Sequence, residues 1–488
     1  MNNVDTLVIF PPRSYTDGIY AAIFPGEISI ATILEKNGIS ARFFDADFVH
    51  KHDKVTLYPP PREYLSYKNK LKKFLKGDDK KWKNAKRILL KTEPKIILIS
   101  PRMISVFSPV LFLAKLAKKI IPEVKVGIVE HLGSSSFVSE TYLRDKNIDF
   151  AIRGEPEYTS VEVCERLLKG KKIDKVKGLA FRKNETIVVT KSRGLEMNLD
   201  KFPISDRDLV IDKKYFPSFS FGFLDGGRGC RYNCSFCHVK PPLRLRNPKN
   251  VIREIMQSYL KYGTREFFFA ISSFLHSKKW AKEICELIKK EKLDIIWGCY
   301  SNANQIDDKI LCLMKSAGCN YITVGFESGS YDTLKRMNKI SNLNLKEINS
   351  VGRTIKSHGI FLRSAFIMGY PEETMNDINS TLNLISEILP DFLRLQLLVP
   401  TPSANVYKLY KKRELIRHEN YDYYLTSQVL LKTKINPRTL KKIWKKYSKI
   451  SGLSESILMR KKLLQSKFLR CKMVEYYRYM LRRFITNS

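Results

Sequence analysis

Short apolar runs alternate with amphipathic segments along most of this chain, and that alternation limits the possible folds more than any other feature. In the first third, the apolar runs lie at 5–10, 40–47, 95–100, 124–129 and 148–154. Segments with helical periodicity, such as 27–38 and 108–120, separate them. Strands that alternate with helices form βαβ units and parallel sheets. We therefore predict an α/β fold that begins with a doubly wound, Rossmann- or flavodoxin-like parallel sheet.

A second series of the same kind occupies the middle of the chain. Its apolar runs lie at 221–227, 266–271, 294–301, 321–327, 361–369 and 392–399. This number of units forms a partial (β/α)6 barrel of the TIM type more readily than a closed barrel. Because such barrels carry their reactive groups at the carboxyl ends of the strands, the loop after the first of these runs is where chemistry is expected.

These patterns divide the chain into four regions. Residues 1–170 form the first sheet domain, 171–215 a connector with a hairpin-like pair of segments, 216–420 the partial barrel, and 421–488 a helical, basic C-terminal region. A Lys-rich segment at 50–90 is predicted to be a helical insertion in the first domain.

Composition bears on location and partners. No apolar run reaches the roughly 18 residues of a membrane span, and the start "MNNVDTLVIF" lacks the basic region and cleavage site of a secretory signal. A cytoplasmic location is therefore predicted, where thiols stay reduced. Lys and Arg number 87 against 49 Asp and Glu, for a net charge of +38. A basic surface attracts anions, although single lysines on polar helix faces also produce such an excess.

The stretch "GGRGCRYNCSFCH" at 226–238 holds Cys230, Cys234 and Cys237 in the spacing C-x3-C-x2-C. Structural zinc usually takes four ligands in two close pairs. Here His238 would have to be the fourth ligand, and its place beside Cys237 makes a tetrahedral site awkward. A four-iron cubane takes one thiolate per iron, so three thiolates leave one iron open to a small ligand. The spacing favours the iron–sulfur cluster, and the other six of the nine cysteines are predicted to be mostly buried apolar residues.

These residues resemble the radical S-adenosylmethionine superfamily. The cysteine motif follows the first barrel strand and has an aromatic residue, Phe236, before its last cysteine. The stretches "AGCNYITVGFESGSYDTLKRMNK" (317–339) and "HGIFLRSAFIMGYPEET" (358–374) resemble the fourth and fifth strands of that family. The resemblance covers about 200–405 and implies that a [4Fe-4S] cluster binds S-adenosylmethionine and cleaves it to a 5′-deoxyadenosyl radical.

The same resemblance implies roles for individual residues. The three cysteines would ligate the cluster, Phe236 would lie beside the adenine, and Glu327 would hydrogen-bond S-adenosylmethionine through its ribose or amino group. Arg363 could pair with the carboxylate of S-adenosylmethionine or be a charge on the barrel surface. Two departures bear on the substrate pocket. Glu372 replaces a glycine of the turn after the fifth strand, and "FAISSF" (269–274) stands where relatives often carry an acidic residue.

The first third resembles the cobalamin-binding domain that precedes the barrel in one subgroup of this superfamily. The similar stretches are "VIFPPR" (8–13), "FPGEISIATILEKNGISARFFDAD" (24–47), "KIILISPRMIS" (95–105) and "AIRGEPEYT" (151–159). The resemblance implies that Ser100, His131 and the turn at Gly133 lie near the nucleotide tail of cobalamin, although His131 could equally be an ordinary loop residue. The D-x-H-x-x-G motif of a cobalt-binding histidine is absent after the first strand, and Val129 and Glu130 stand where glycines are usual.

The resemblance implies an enzyme that transfers a methyl group to an unactivated carbon. The alternative is a ring closure or rearrangement in which cobalamin is absent or acts otherwise, and a non-catalytic binding protein is a third reading. The expected partners are a small-molecule or peptide substrate and an external electron donor such as flavodoxin or ferredoxin. No nucleic-acid-reading module is recognised.

The basic C-terminal region has its own pattern. One apolar helical face is predicted from the spacing of Leu440, Ile443, Trp444, Tyr447 and Ile450. This helix would pack on the barrel as a cap, or its lysines would dock an anionic membrane or acidic partner.

Overall fold

The structure of the protein is a computed structural model. It describes residues 3–13, 23, 25–48, 67–130, 136–339, 345–425 and 427–458.

The first domain is built on one sheet of mostly parallel strands. These are β1 (Thr6–Phe10), β2 (Ala41–Asp45), β3 (Ile96–Ile99), β4 (Lys125–Val129), β5 (Phe150–Ile152), β6 (Leu179–Lys183) and β7 (Thr186–Val189). They follow the order β2-β1-β3-β4-β5-β6-β7. The strands from β2 to β5 pair in parallel, whereas β6 and β7 form an antiparallel hairpin on β5. The hairpin predicted in the connector therefore extends the first sheet, and the domain limits stay a prediction.

Helices cover both faces of this sheet. They are α1 (Pro25–Lys36), α2 (Tyr67–Phe74), α3 (Lys80–Thr92), α4 (Phe107–Ile120), α5 (Ser136–Leu143) and α6 (Pro156–Leu168). Successive residues of a strand point to opposite faces. Accordingly, Leu7 of β1 packs in the core under α3 and α4, and Val8 packs in the core under α1 and α6. The doubly wound fold predicted from the sequence is confirmed, and the described part of the 50–90 insertion is helical.

The second sheet is the partial barrel. Its strands are β8 (Phe223–Leu224), β11 (Glu266–Phe269), β12 (Ile296–Ser301), β13 (Cys319–Glu327), β14 (Phe361–Met368) and β15 (Phe392–Leu397). They pair in parallel in the order β8-β11-β12-β13-β14-β15. Each predicted run overlaps one of these strands, although β13 begins two residues before its predicted run. A short antiparallel ribbon, β9 (Gly227–Arg228) with β10 (Arg244–Leu245), was not predicted.

Helices line the outside of the barrel. They are α7 (Pro248–Tyr262), α8 (Lys278–Lys290), α9 (Asp308–Ser316), α10 (Tyr331–Arg336), α11 (Leu345–Ser357), α12 (Met375–Ile388), α13 (Asn405–Lys412) and α14 (Pro437–Leu458). Burial alternates along β14 and β15: the residues that face the helices are buried, and those that face the lumen are half-buried. The lumen is therefore the open face of this sheet.

Helix α14 covers the end of the sheet at β15. Leu440, Trp444 and Tyr447 are buried in the barrel core, with Ile443 half-buried beside them. The Trp444 indole also donates a hydrogen bond to the Leu395 carbonyl oxygen at 3.1 Å. The predicted apolar face packs on the barrel as a cap. The side chain of Ile450 and residues 459–488 lie outside the described part, so an anionic partner for this region stays a prediction.

Ion pairs join the two domains where their sheets end. Glu155 and Glu157, which follow β5 in the first domain, contact Arg228 of the barrel. Arg244 also donates to Glu155 at 2.8 Å. As a result, the carboxyl edge of the first sheet faces the carboxyl end of the barrel. None of the helices that the structure describes is both long and apolar enough to cross a membrane.

Candidate active site

The cysteine motif lies in a loop that the β9–β10 ribbon closes at its base. Gly227 pairs with Leu245 and Arg228 with Arg244 across the ribbon. Gly229 then adopts a φ of +81°, and a Cβ there would lie 2.0 Å from the Pro242 carbonyl oxygen. Only glycine fits this close approach. The ribbon thus brings the cysteine loop to the first barrel strand in a fixed direction.

Backbone groups of the barrel hold the other side of the loop. Ser235 donates its N–H to the Met337 carbonyl at 2.8 Å and its hydroxyl to the Arg336 carbonyl at 3.0 Å. The Ser235 carbonyl accepts from the N–H of Val406 in α13 at 3.0 Å. The loop between Cys230 and Cys237 is therefore held between α10 and α13.

The three thiols are arranged as ligands rather than as a disulfide pair. All three cysteines are free, with Cys234 buried and the other two partly exposed. Two sulfurs already accept backbone hydrogen bonds at 3.4 Å, Cys230 from Tyr232 and Cys237 from Val239. Burial raises the pKa of Cys234 to about 11. A metal centre would therefore have to displace the proton of this thiol.

A single metal ion is not what this arrangement accommodates. Within the described ranges, no group of three or more His, Cys, Asp or Glu side chains is placed to hold one ion. His238, the fourth ligand that zinc would require, is solvent exposed. A cubane binds each thiolate through a different iron, so its ligands need not converge on one point. Three cysteines on one firmly held loop fit a [4Fe-4S] cluster.

Glu327 ends β13 beside this loop in a conformation that few residues adopt. Its φ is +66°, and the register of β13 against β14 shifts between Gly325 and Glu327. A Cβ on Gly325 would lie 2.3 Å from the Glu327 carboxylate, so glycine leaves room for the side chain. Strained backbone of this kind clusters at functional sites. Glu327 is 7% exposed, and this burial raises its pKa despite the neighbouring Lys339.

Lys339 is a functional candidate that the sequence did not reveal. Its ammonium lies 3.4 Å from Glu327 Oε1 and 3.0 Å from Asn302 Oδ1. Burial alone would lower the pKa of Lys339, but Glu327 and the thiols of Cys234 and Cys230 outweigh it and raise the pKa. The amine is therefore charged beside the cysteine loop. Lys339 ends the stretch 317–339 that resembles the family, but no role was assigned to it, because it reaches the site only through the turn that follows α10.

The rest of the "ESGS" motif is structural. The Ser328 hydroxyl and the Gly329 N–H both contact Thr381 Oγ1 of α12 at 3.0 Å. A Cβ on Gly329 would lie 2.3 Å from the Ser380 carbonyl. Ser330 caps α10 by accepting from the Thr333 N–H. The motif therefore docks the turn after Glu327 on a neighbouring helix.

Arg363 lies deeper in the barrel than Glu327. Arg363 pairs in register with Thr323 of β13. Glu327 lies four residues further along β13, and four residues of a strand span about 13 Å. Arg394 of β15 lies on the lumen face as well. The role predicted for Arg363 stays a prediction, and Lys339 is the cation beside the cysteines. Phe236 is half-buried against the barrel core.

Aromatic side chains line the opposite side of the lumen. The Phe268 ring lies 4.9 Å from that of Tyr300 and 5.8 Å from that of Tyr321, measured between ring centres. Phe223 continues this wall at 5.7 Å from Phe268. Gly298 makes room for it, because a Cβ there would lie 2.3 Å from the Tyr321 ring. The lumen therefore has an aromatic wall on one side and guanidinium groups on the other.

Glu373, which follows Glu372 in the chain, holds the turn after β14. Glu373 accepts from the N–H groups of Gly369 and Tyr370 at 2.7 and 3.0 Å. Glu372, in place of the glycine, instead accepts from the Tyr410 hydroxyl and from Arg413 at 3.2 and 3.1 Å. This substitution ties the turn to α13.

The other departure, "FAISSF", places a polar cluster against the cysteine loop. His276, which follows it, is 5% exposed and lies 3.4 Å from the Cys230 sulfur. Burial, together with Arg231 and Lys339, lowers the pKa of His276 to about 4. A neutral imidazole therefore lies beside one of the cluster cysteines.

The carboxyl edge of the first sheet is occupied by ion pairs. Ser100, after β3, is buried and donates to Glu27 at 3.3 Å, and Glu27 also accepts from Arg102. Asp47, after β2, accepts from Arg13 and Lys81. The predicted residues His131 and Gly133 lie outside the described residues.

The chain was compared with known proteins. A family model described as the Radical SAM superfamily matches residues 225–385. An uncharacterised methyltransferase of Pyrococcus horikoshii is 28% identical over 364 residues, which are 73% of this chain and 78% of that protein. The anaerobic magnesium-protoporphyrin IX monomethyl ester cyclase of Rubrivivax gelatinosus is 25% identical over 355 residues, which are 67% of this chain and 62% of the cyclase. This chain therefore spans less than two thirds of the cyclase.

A solved structure extends the similarity to both domains. The radical S-adenosylmethionine methyltransferase TsrM from Kitasatospora setae, determined with cobalamin and a [4Fe-4S] cluster, matches with a TM-score of 0.64 and 14% identity over 84% of this chain and 75% of TsrM. At this identity the likeness shows the fold. Since the family model spans the cysteine loop, Glu327 and the turn after β14, the barrel of this chain belongs to the radical SAM superfamily, and a doubly wound domain precedes it in the chain.

Proposed function

We propose that this protein is a cobalamin-dependent radical S-adenosylmethionine enzyme that transfers a methyl group to an unactivated carbon. One observation carries the proposal. The carboxyl edge of the first sheet, where doubly wound folds bind ligands, is joined to the cysteine loop by the ion pairs of Arg228 with Glu155 and Glu157. A cofactor on each side would therefore face the other across one interface.

The barrel side supplies the cluster site. Cys230, Cys234 and Cys237 are the proposed cluster ligands. Buried Glu327 is suited to bind the ammonium group of S-adenosylmethionine, because a cation there would offset the cost of burying a carboxylate. Lys339 is suited to its carboxylate. These two residues would orient the methionine part at the open iron.

The first sheet supplies the proposed cobalamin site. The side chains that end its strands are short and buried, Pro11 and Pro12 after β1 and Ser100 after β3, and a large planar ring would lie over them. The loops 14–22 and 131–135 lie outside the described residues. The resemblance to cobalamin-binding domains implies that such loops lie near the ring. When bound, the two cofactors would supply a carbon radical and a methyl carrier, while the protein holds them and excludes water.

The lumen indicates which substrate would fit. An aromatic wall favours a planar or apolar body, and the guanidinium groups of Arg363 and Arg394 suit a carboxylate or phosphate. A small molecule or a peptide with an acidic group satisfies both. Reduction would come from a donor such as flavodoxin or ferredoxin, and a cytoplasmic location would keep the thiols reduced.

The test is anaerobic reconstitution of the full chain with iron, sulfide and cobalamin. Iron–sulfur and cobalamin absorption bands are expected together, along with release of 5′-deoxyadenosine under reduction. S-adenosylmethionine with a deuterated methyl group should then pass that label to the protein-bound cobalamin, as measured by mass spectrometry. Iron–sulfur bands without retained cobalamin would overturn the methyl-transfer proposal.

A second candidate is ring closure or rearrangement by the same radical. The likeness to an enzyme named as a cyclase favours it. The two candidates separate in one experiment, because a cyclase would release 5′-deoxyadenosine with substrate while the deuterated methyl group stays out of the product.

A further inference from the structure

A polar cluster in the segment after β11 reaches the cysteine loop. Ser272, Ser273 and His276 belong to this segment, and Gln305 joins them from the turn after β12. Ser272 and Gln305 are half-buried, Ser273 is buried, and His276 is 5% exposed. The cluster ends on Cys230, whose sulfur lies 3.4 Å from His276 Nε2.

One contact fixes where the His276 proton lies. The Ser272 hydroxyl lies 2.6 Å from the Gly229 carbonyl oxygen. A carbonyl can only accept, so Ser272 donates its proton there. Ser272 Oγ also lies 3.0 Å from His276 Nε2, and with its own proton already used it must accept. His276 therefore carries its proton on Nε2.

A second chain of contacts leads to the same tautomer. The Ser273 hydroxyl donates to Gln305 Oε1 at 2.5 Å, which turns the amide nitrogen of Gln305 towards His276 Nδ1 at 3.3 Å. An amide nitrogen can only donate, so Nδ1 accepts and is unprotonated. The two sides of the ring thus agree, and the Nε2 proton is shared between Ser272 Oγ and the Cys230 sulfur.

We propose that His276 is a positioning residue that donates a hydrogen bond to Cys230 and thereby raises the reduction potential of the cluster. Hydrogen bonds to cluster sulfurs withdraw negative charge and favour the reduced state. Cys230 receives two such donors, His276 and the backbone N–H of Tyr232. The electron that reduces the cluster comes from the external donor, which is oxidised by one electron.

The proposal rests on the iron–sulfur cluster and not on methyl transfer, so the two can fail separately. The experiment uses the reconstituted full chain without cobalamin or S-adenosylmethionine. The midpoint potential of the cluster is measured by redox titration with electron paramagnetic resonance, and iron and sulfide contents are determined for each variant.

His276→Phe should make reduction about tenfold less favourable, a shift of about 59 mV to more negative potential for a one-electron couple. His276→Gln, whose amide can donate, should recover part of the shift. Ser272→Ala should move the potential in the opposite direction, because the imidazole proton then goes to Cys230 alone.

The matched control is His358→Phe. His358 follows α11, and its Nδ1 lies 2.8 Å from the Thr354 carbonyl oxygen. Its potential should equal that of the wild type. Equal potentials for wild type and His276→Phe at equal iron content would overturn the proposal, as would an equal shift in the control. If His276→Phe does not take up iron, Ser272→Ala is the deciding variant: a shift to more positive potential supports the proposal, and no shift or a negative shift overturns it.

Discussion

Two buried carboxylates, one at the edge of each sheet, differ in how far neighbouring cations offset the cost of burying their charge. Asp47 is 4% exposed and Glu327 is 7% exposed. Burial raises the pKa of both, yet Arg13 and Lys81 reverse the effect at Asp47 and lower its pKa to about 2. At Glu327 the contact with Lys339 is 3.4 Å and the pKa stays raised. At the first edge the charge of Asp47 is thus compensated by two cations of the protein, whereas the barrel keeps at Glu327 a carboxylate suited to a cationic ligand.

The largest effect is expected from removing a cluster ligand at the barrel mouth. Cys234→Ala should abolish both cluster assembly and 5′-deoxyadenosine release, because two thiolates cannot hold the cubane as three do. Iron content and product release check this. The control is Cys312→Ala, since Cys312 is an exposed thiol on α9 and should behave as the wild type. A Cys234→Ala protein that still cleaves S-adenosylmethionine would contradict the assignment.

The two carboxylates should respond in opposite ways to the same substitution. Asp47→Asn leaves Arg13 and Lys81 buried beside a neutral amide, so it should lower the free energy of unfolding by about 3 kcal/mol or more. Glu327→Gln removes a charge that burial disfavours, so it should cost less than about 1 kcal/mol while weakening S-adenosylmethionine binding. Urea unfolding of the metal-free protein measures both. Equal losses of stability would refute the contrast.

Asp45, next to Asp47, sharpens the comparison through pH. Burial, together with the charge of Asp47, raises the pKa of Asp45 from 3.8 to about 7. Between pH 4 and pH 7 the folded state therefore keeps a proton on Asp45 that the unfolded state releases. Asp45 contributes its full share to the free energy of unfolding below pH 4, and this share is lost as the pH rises through 7. Asp45→Asn should be more stable than the wild type by about 2 kcal/mol at pH 8, allowing for partial hydration of the site.

Unfolding of Asp45→Asn and wild type at pH 4 and pH 8 provides the measurement. The amide oxygen of the variant can still accept from the Asp47 N–H, as Asp45 does at 2.9 Å. The difference between the two proteins should therefore disappear at pH 4. A difference independent of pH would mean that the raised pKa of Asp45 does not control it.

Lys339 and Arg363 test which cation binds S-adenosylmethionine. Lys339→Gln should weaken binding about tenfold, since losing a charged hydrogen bond costs about 1.5 kcal/mol. Arg363→Gln should leave binding nearly unchanged because Arg363 lies deeper in the lumen. Equilibrium dialysis on the reconstituted protein measures both dissociation constants. A larger loss with Arg363→Gln would restore the role that the sequence suggested for it.

The smallest effect on stability is expected far from both edges. Replacing Lys441, Lys442, Lys445 and Lys446 of α14 by Gln should change the free energy of unfolding by under about 1 kcal/mol, because the apolar face of this helix makes the packing contacts. Binding to vesicles of anionic lipid, at low and high salt, shows whether these lysines also dock an anion. Salt-insensitive binding would leave α14 as a cap alone.

Features that produce a pattern among neighbouring residues could be predicted from the sequence. The barrel strand at 321–327 was found because Ile322, Val324 and Phe326 alternate along it as one apolar face, and the cysteine loop because its spacing is unusual. The ribbon β9–β10 was missed because each strand has two residues, too few for a periodic pattern. Lys339, Lys81 and His276 were missed for another reason: each acts on a residue that is 12, 34 and 46 positions away, respectively, and only the folded chain brings them together.

The Arg228 contacts also bear on how the protein matures. Chains generally fold domain by domain during synthesis, from the N-terminus. Glu155 and Glu157 are therefore in place on a finished domain before the ribosome completes the barrel, and Arg228 stands two residues before Cys230. We therefore expect the cysteine loop to close against a domain that has already folded, and the cluster to be inserted after that step. A barrel expressed without the first domain would lack the carboxylates that hold Arg228.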